Sequence, residues 1–128
     1  MLSHGVDIVE VGRIEKAIER YSERFTNRIY TNYERSLCDS GDWMSRWQKY
    51  AGYWAVKEAT MKALGTGNKK GVRFLDIGTQ HEISGKPYLV LSGIAEEVSR
   101  KIGVKSMVVS ISHEREYAIA SVIFELYG

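Results

Sequence analysis

The chain has 128 residues, 44% of them hydrophobic and 27% charged, with a formal net charge of +2. That length and balance suit one domain over residues 1–128 built on a single core. They exclude a membrane-spanning apolar run and an internal disulfide, Cys38 standing alone, and they carry no charge excess that demands a nucleic-acid partner.

The opening MLSHGVDIVEV has no basic segment ahead of an apolar stretch, so a reducing cytoplasm is the expected compartment. Gly5 to Val11 reads as a strand with one acid, Asp7, set between Val6 and Ile8. An amphipathic helix is predicted over Gly12–Arg24, with Ile14, Ala17, Ile18 and Tyr21 at helical spacing on its buried face. Arg13, Lys16, Arg20 and Arg24 fall on one stripe of that helix and Glu15, Glu19 and Glu23 on another. A basic stripe suits an acidic protein partner and equally nucleic-acid phosphate, while mixed charge on a solvated helix is the commoner reason for such residues.

Thr31 to Glu34 (TNYE) has the form of a capping box and predicts a short helix ending before Gly41. Ser45 to Gln48 (SRWQ) has the same form and predicts the start of a long helix ending near Leu64, with Gly65 as its left-handed stop. Arg73–Ile83 and Tyr88–Leu91 read as strands around the turn Ser84-Gly85-Lys86-Pro87. Ser92 is the expected cap of a helix through Ile102, with Ile94, Val98 and Ile102 inward and Gly103 as its stop. Ser106–Ser112 and Tyr117–Phe124 form a predicted hairpin. The mixture reads as α+β, a mainly antiparallel sheet packed with a long helix.

The long helix poses the functional question. At about 100° per residue, Trp54, Ala51, Ala55 and Met61 surround Glu58 and Lys62, Val56, Ala59 and Ala63 lie opposite, and only Lys57, Thr60 and Leu64 form a wet stripe. A helix apolar on most sides is buried, which places Glu58 and Lys62 at or near the interior. An ordinary i,i+4 ion pair explains them on spacing alone. Burial favours a working site instead, because a carboxylate taken out of water needs partners, a divalent cation among them, and a lysine there suits a phosphate. Asp7 is either a strand-edge acid or a second carboxylate for the same cation. Mg²⁺ takes one or two carboxylates together with phosphate and water. Spacing alone does not join Asp7 to Glu58.

Gly65-Thr66-Gly67 follows a helix instead of opening one and lacks the ending of a P-loop. Helix capping explains it, although a glycine loop followed by Lys69 and Lys70 could bring backbone N–H groups and charge to an anion. His4, His81 and His113 are scattered and show no zinc-type spacing. His113 falls at the turn of the last hairpin. No motif supports a nucleophile at Ser110 or Ser112.

Taken together, GVDIVEVGRI (Gly5–Ile14), WAVKEATMKALGTG (Trp54–Gly67), GKPYL (Gly85–Leu89) and SISHEREYAIA (Ser110–Ala120) resemble the holo-acyl-carrier-protein synthases, the short bacterial class of 4′-phosphopantetheinyl transferases. The resemblance runs nearly end to end. It implies a 4′-phosphopantetheinyl transferase fold, a homotrimer with active sites between subunits, and transfer of 4′-phosphopantetheine from coenzyme A to a serine of an acidic apo-acyl carrier protein, with release of adenosine 3′,5′-bisphosphate. It implies no membrane and no nucleic acid, and it supplies the nucleophile from the partner. Asp7 and Glu58 match the acids that bind Mg²⁺ with the coenzyme A pyrophosphate. Lys62 matches the phosphate-contacting lysine, and Glu58 is the candidate base, acting through water. Gly65, Thr66, Gly67 and His113 match segments lining the coenzyme site, and Lys86 and Pro87 a loop beside it. Arg13, Arg20, Arg24 and Phe25 match the helix region that docks the carrier protein.

Two positions depart from that pattern. Tyr53 stands where many relatives carry a basic residue toward the nucleotide end of coenzyme A, with Arg46, Lys49 or Lys70 as candidate substitutes. Glu114 stands where relatives carry a smaller or hydroxyl residue, and an acid there must point away from phosphate. Two other readings compete. A Mg²⁺-dependent coenzyme A or nucleotide hydrolase would need no carrier protein. A basic-helix adaptor for acidic proteins or RNA would need neither Glu58 nor metal, and no RNA-binding aromatic motif supports it.

Overall fold

The computed structural model describes residues 1–67 and 71–128. Lys69 and Lys70 lie outside the described residues. The chain runs β1 (Leu2–Glu10), α1 (Val11–Tyr21), α2 (Glu23–Ile29), α3 (Asn32–Asp39), α4 (Trp43–Leu64), a 3₁₀ turn (Phe74–Asp76), β2 (Ile77–His81), β3 (Pro87–Leu91), α5 (Gly93–Lys101), β4 (Val104–His113) and β5 (Tyr117–Leu126). Every strand pair is antiparallel, in a three-stranded sheet ordered β1-β5-β4 and a two-stranded sheet β2-β3. The α+β expectation holds, with α4 as the central helix.

The three-stranded sheet turns Ser3, Gly5, Asp7 and Val9 of β1 and Ala118, Ala120, Val122 and Phe124 of β5 toward α4. Small residues make a close approach possible. Ala51, Ala55, Ala59 and Ala63 recur every four residues along α4 and all are buried. Gly5 is where the two backbones meet: a Cβ built there would lie 1.9 Å from the Ala59 carbonyl oxygen. The Ser3 hydroxyl donates to the Ala63 carbonyl at 2.6 Å. Sequence pattern thus places β1 and α4 side by side through alanine and glycine, and this contact carries Asp7 to the second half of α4.

Several boundaries differ from expectation. The first predicted helix is two helices, broken at Ser22, whose φ is +50° and whose N–H closes α1 on the Ile18 carbonyl. Arg24 and Phe25 therefore belong to α2, and the four-residue basic stripe is divided between two axes. Tyr21 is exposed, and Val11 takes a place in the core instead. The long helix opens at Trp43, two residues before the predicted box, because the Asp42 carboxylate caps it by accepting from the Ser45 N–H at 2.8 Å. The segment 74–76 is a 3₁₀ turn instead of strand. In α5 the Ser92 side chain makes no cap bond, and Ala95 and Ser99 are the buried residues while Ile94 and Ile102 are exposed. The Thr31–Glu34 capping box is present, and Gly65 closes α4 at φ +80° as expected.

The largest correction concerns the α4 wheel. Lys57, Thr60 and Leu64, expected as the wet stripe, are buried, and Lys57 is 0% exposed. The open side of α4 is the one that carries Trp54, Glu58 and Lys62. With the sheet on one side and α1, α3 and β2 on others, the helix is enclosed where a wheel alone offered no direction.

Candidate functional site

Asp7, Glu58 and Lys62 come together on the open side of α4. Lys62 Nζ donates to the Val6 carbonyl at 2.8 Å and lies 3.4 Å from Asp7 Oδ1. The Lys62 side chain is 54% exposed, against the interior position expected for it, whereas Asp7 is 17% exposed and Glu58 is half-buried. Lys62 projects from the last turn of α4, where its charge also complements the helix C-terminus.

Burial raises the Asp7 carboxyl above its ordinary range, with Lys62 and then Arg13 opposing. Glu58 is raised for the same first reason and further by Asp7, with Lys62 and Arg13 again opposing. Two half-desolvated carboxylates that repel each other would suit a hard cation, whose charge would relieve both the burial and the repulsion. The donor set, all oxygen and flanked by one exposed ammonium, suits Mg²⁺ with a phosphate. Among the described residues there is no group of three or more His, Cys, Asp and Glu side chains that could hold a metal ion.

Past Lys62, the Gly65, Thr66 and Gly67 N–H groups turn back onto the Lys62 and Met61 carbonyls, and the Thr66 side chain is buried. The loop closes the helix, and these N–H groups are not free to cradle an anion. Among the described residues no hydrogen bond or ion pair joins Lys86, Pro87 or His113 to Asp7, Glu58 or Lys62. His113 is the exposed last residue of β4, and Lys86 and Pro87 lie at the turn into β3. Arg13 and Arg20 are exposed on α1.

Beside this cluster, Arg24 and Phe25 line a groove of about 640 Å³ with Arg28, Ile29, Arg73 and Phe74. Two of its lining rings, Phe25 and Phe74, each stack on Trp54, at 6.0 Å and 4.9 Å. Three arginines over apolar and aromatic residues fit an acidic amphipathic surface.

A family model, the 4′-phosphopantetheinyl transferase superfamily, matches residues 3–122. The chain belongs to the 4′-phosphopantetheinyl transferase superfamily. It is 43% identical over 121 residues to a holo-[acyl-carrier-protein] synthase of Halothermothrix orenii, covering 94% of each chain. Among solved structures it resembles a holo-(acyl-carrier-protein) synthase from Bacillus anthracis in complex with CoA (3′,5′-ADP), at 36% identity and TM-score 0.81, covering 98% of this chain and 96% of that one. It also resembles the Helicobacter pylori synthase in complex with coenzyme A, at 34% identity and TM-score 0.83, covering 95% and 99%.

Both departures from the transferase pattern have a structural account. Tyr53 is buried, with its ring 6.0 Å from that of His81 and its hydroxyl pKa raised by burial. It belongs to the packing between α4 and β2. Arg46 lies over the Trp47 ring at 4.8 Å and beside Asp39, and Lys49 donates to the Leu37 carbonyl, so both are engaged locally. Glu114 folds onto its own turn, accepting from the Glu116 and Tyr117 N–H groups at 2.7 Å each.

Sequence reasoning missed Arg28, Arg73 and Phe74 in the groove, and it misplaced Lys57. The Arg24–Arg28 spacing of four residues was a visible signal. Nothing local marked residues 73–74, which reach the groove only through tertiary packing.

Proposed function

We propose that this transferase moves 4′-phosphopantetheine from coenzyme A to a serine hydroxyl of an acidic apo-acyl carrier protein, as the names of its relatives indicate. The observation that carries the reading is the meeting of Asp7, Glu58 and Lys62 at one half-buried place beside a basic, apolar-floored groove.

The partner's serine oxygen forms a bond to the β-phosphorus of coenzyme A. The bond from that phosphorus to the bridging pyrophosphate oxygen breaks, and adenosine 3′,5′-bisphosphate leaves. Glu58 receives the serine proton through water. Lys62 is exposed and, among the described residues, tethered to Val6 and Asp7, so it can turn its ammonium to phosphoryl oxygens where charge develops. Mg²⁺ held by Asp7 and Glu58 would supply charge neutralisation and alignment of the pyrophosphate. Gly65, Thr66 and Gly67 form a wall of the coenzyme site through their surface. Arg13 and Arg20 of α1 and Arg24 and Phe25 of α2 receive the carrier protein.

The same reading includes a homotrimer. The outer face of the β1-β5-β4 sheet exposes Val6, Ile8, Val108 and Ile119, with Ile8 62% exposed. An apolar sheet face of this kind is suited to cover by another copy. Such packing would bring His113, Lys86 and Pro87 of one copy to the coenzyme bound by the next, which accounts for their separation from Asp7 within one chain. No helix among the described residues is long and apolar enough to cross a membrane.

Chromatography of coenzyme A tests the reaction class. Coenzyme A should be converted to adenosine 3′,5′-bisphosphate only when apo-carrier protein and Mg²⁺ are both present. Conversion at the same rate without carrier protein would make the protein a hydrolase.

A further inference from the structure

The buried Lys57 has no part in the chemistry above, yet its surroundings are built around it. Its ammonium is 2.9 Å from Glu34 Oε1 and donates to the Phe74 carbonyl at 3.0 Å and to the Ile77 carbonyl at 2.5 Å, with both side chains of the ion pair 0% exposed. The three donors of the ammonium therefore have three acceptors. Glu34 in turn accepts from the Thr31 N–H at 2.9 Å and the Thr79 N–H at 2.8 Å. The pair ties α3, α4 and the start of β2 into one unit, at the cost of desolvating two charges.

The two carbonyls bracket the 3₁₀ turn Phe74–Asp76, and that turn is one wall of the arginine groove. Phe74 stacks on Trp54, which stands one helical turn before Glu58. Removing the ammonium takes a donor from both carbonyls, the Phe74 carbonyl keeping the Ile77 N–H, and the loss is relieved by movement of the turn or entry of water. Residues 73–75 would then shift against Phe25 and Ile29 across the groove. Stability alone does not require this arrangement, since a buried ion pair is often no better than an apolar pair of similar volume.

We infer that Lys57, held by Glu34, is a positioning residue that sets the wall of the carrier-protein groove, and so governs affinity for the acidic partner and not the chemical step. This rests on the carrier-protein reading above. It separates two neighbouring residues on α4: Glu58 serves the reacting atoms, and Lys57 serves the surface on which the partner lands.

The test uses the full-length protein with Lys57→Met, Glu34→Gln and the double variant. The readouts are thermal midpoint, direct binding of apo-acyl carrier protein, KM and kcat for that protein, and Mn²⁺ affinity in the absence of carrier. Lys57→Met alone should lose thermal stability, and the double variant should regain much of it. Carrier affinity should stay weakened about 10-fold in the double variant, the scale of a lost interface anchor, while kcat at saturating carrier and Mn²⁺ affinity stay near wild type. Glu34→Gln alone keeps Lys57 on both carbonyls. It is the control that leaves the turn held, and its carrier affinity should stay within about 2-fold of wild type.

Carrier binding by a folded double variant that equals wild type would overturn the inference and leave the pair purely structural, and a loss of carrier affinity in Glu34→Gln as large as in the double variant would overturn it as well, since the carbonyls of the turn would not be what transmits it. A defect confined to kcat and Mn²⁺ affinity would overturn it too, since Lys57 would then act on the metal site. Wild-type protein that binds no carrier protein would remove the carrier reading and this inference together.

Discussion

Asp7 and Glu58 hold their charge under opposition, and that has measurable consequences. Both carboxyls have folded-state pKa values above the ordinary range because of burial, and for Glu58 also because of Asp7. The folded protein thus binds these protons more tightly than the unfolded chain. Their contribution to stability is present below the ordinary carboxylate values and is lost as pH rises through the raised ones. A bound divalent cation offsets the loss. Thermal midpoints should rise by about 5 °C with saturating Mg²⁺ near pH 8, and the rise should shrink as pH falls below about 5. Glu58→Gln should raise the metal-free midpoint and abolish most of the Mg²⁺ gain, as calorimetry across pH would register. An unchanged Mg²⁺ gain in both Glu58→Gln and Asp7→Asn would place the metal elsewhere. Lys62→Ala, which removes the ammonium from Val6 and Asp7, should lower the transfer rate by about 100-fold or more while leaving the midpoint nearly unchanged.

At the scale of elements, the pairing of β1 with α4 makes the site. Gly5 is its most sensitive point, because a methyl group there would collide with the Ala59 carbonyl, a backbone atom with no rotamer to yield. Gly5→Ala should destabilise the protein by about 1–3 kcal/mol or more, and it should weaken Mg²⁺ binding by moving Asp7 from Glu58. Urea unfolding and Mn²⁺ titration check both, and normal metal binding in a destabilised variant would contradict the proposed link. Much of this level was legible in the sequence: the strand bearing Asp7, the extent of α4 to Gly65, the Thr31–Glu34 box and the last hairpin each have local signals. The rest is tertiary. The break at Ser22 needs a positive φ that no glycine announces. The burial of Lys57 depends on Glu34 and on the carbonyls of Phe74 and Ile77, which a helical wheel does not contain. Asp7 and Glu58 are joined by the alanine and glycine contact between β1 and α4, and the sequence alone reached that pairing only through family resemblance.

For the whole molecule, two surfaces carry the functional account: the arginine groove beside the site and the apolar outer face of the three-stranded sheet. Ile8→Arg with Ile119→Arg on that face should convert a trimer to monomers in sedimentation and cost most of the activity, because His113 and Lys86 would lose the neighbouring site that they are proposed to serve. Monomeric wild-type protein with full activity would contradict that arrangement. The central claim, that Asp7, Glu58 and Lys62 transfer phosphopantetheine, is tested most directly by the intact mass of an apo-acyl carrier protein after incubation with coenzyme A, Mg²⁺ and this protein. The account predicts a gain of one phosphopantetheine group with wild type, and none with Glu58→Gln or with a metal chelator. A carrier protein that stays unmodified by folded wild-type protein, or is modified equally by Glu58→Gln, would contradict it.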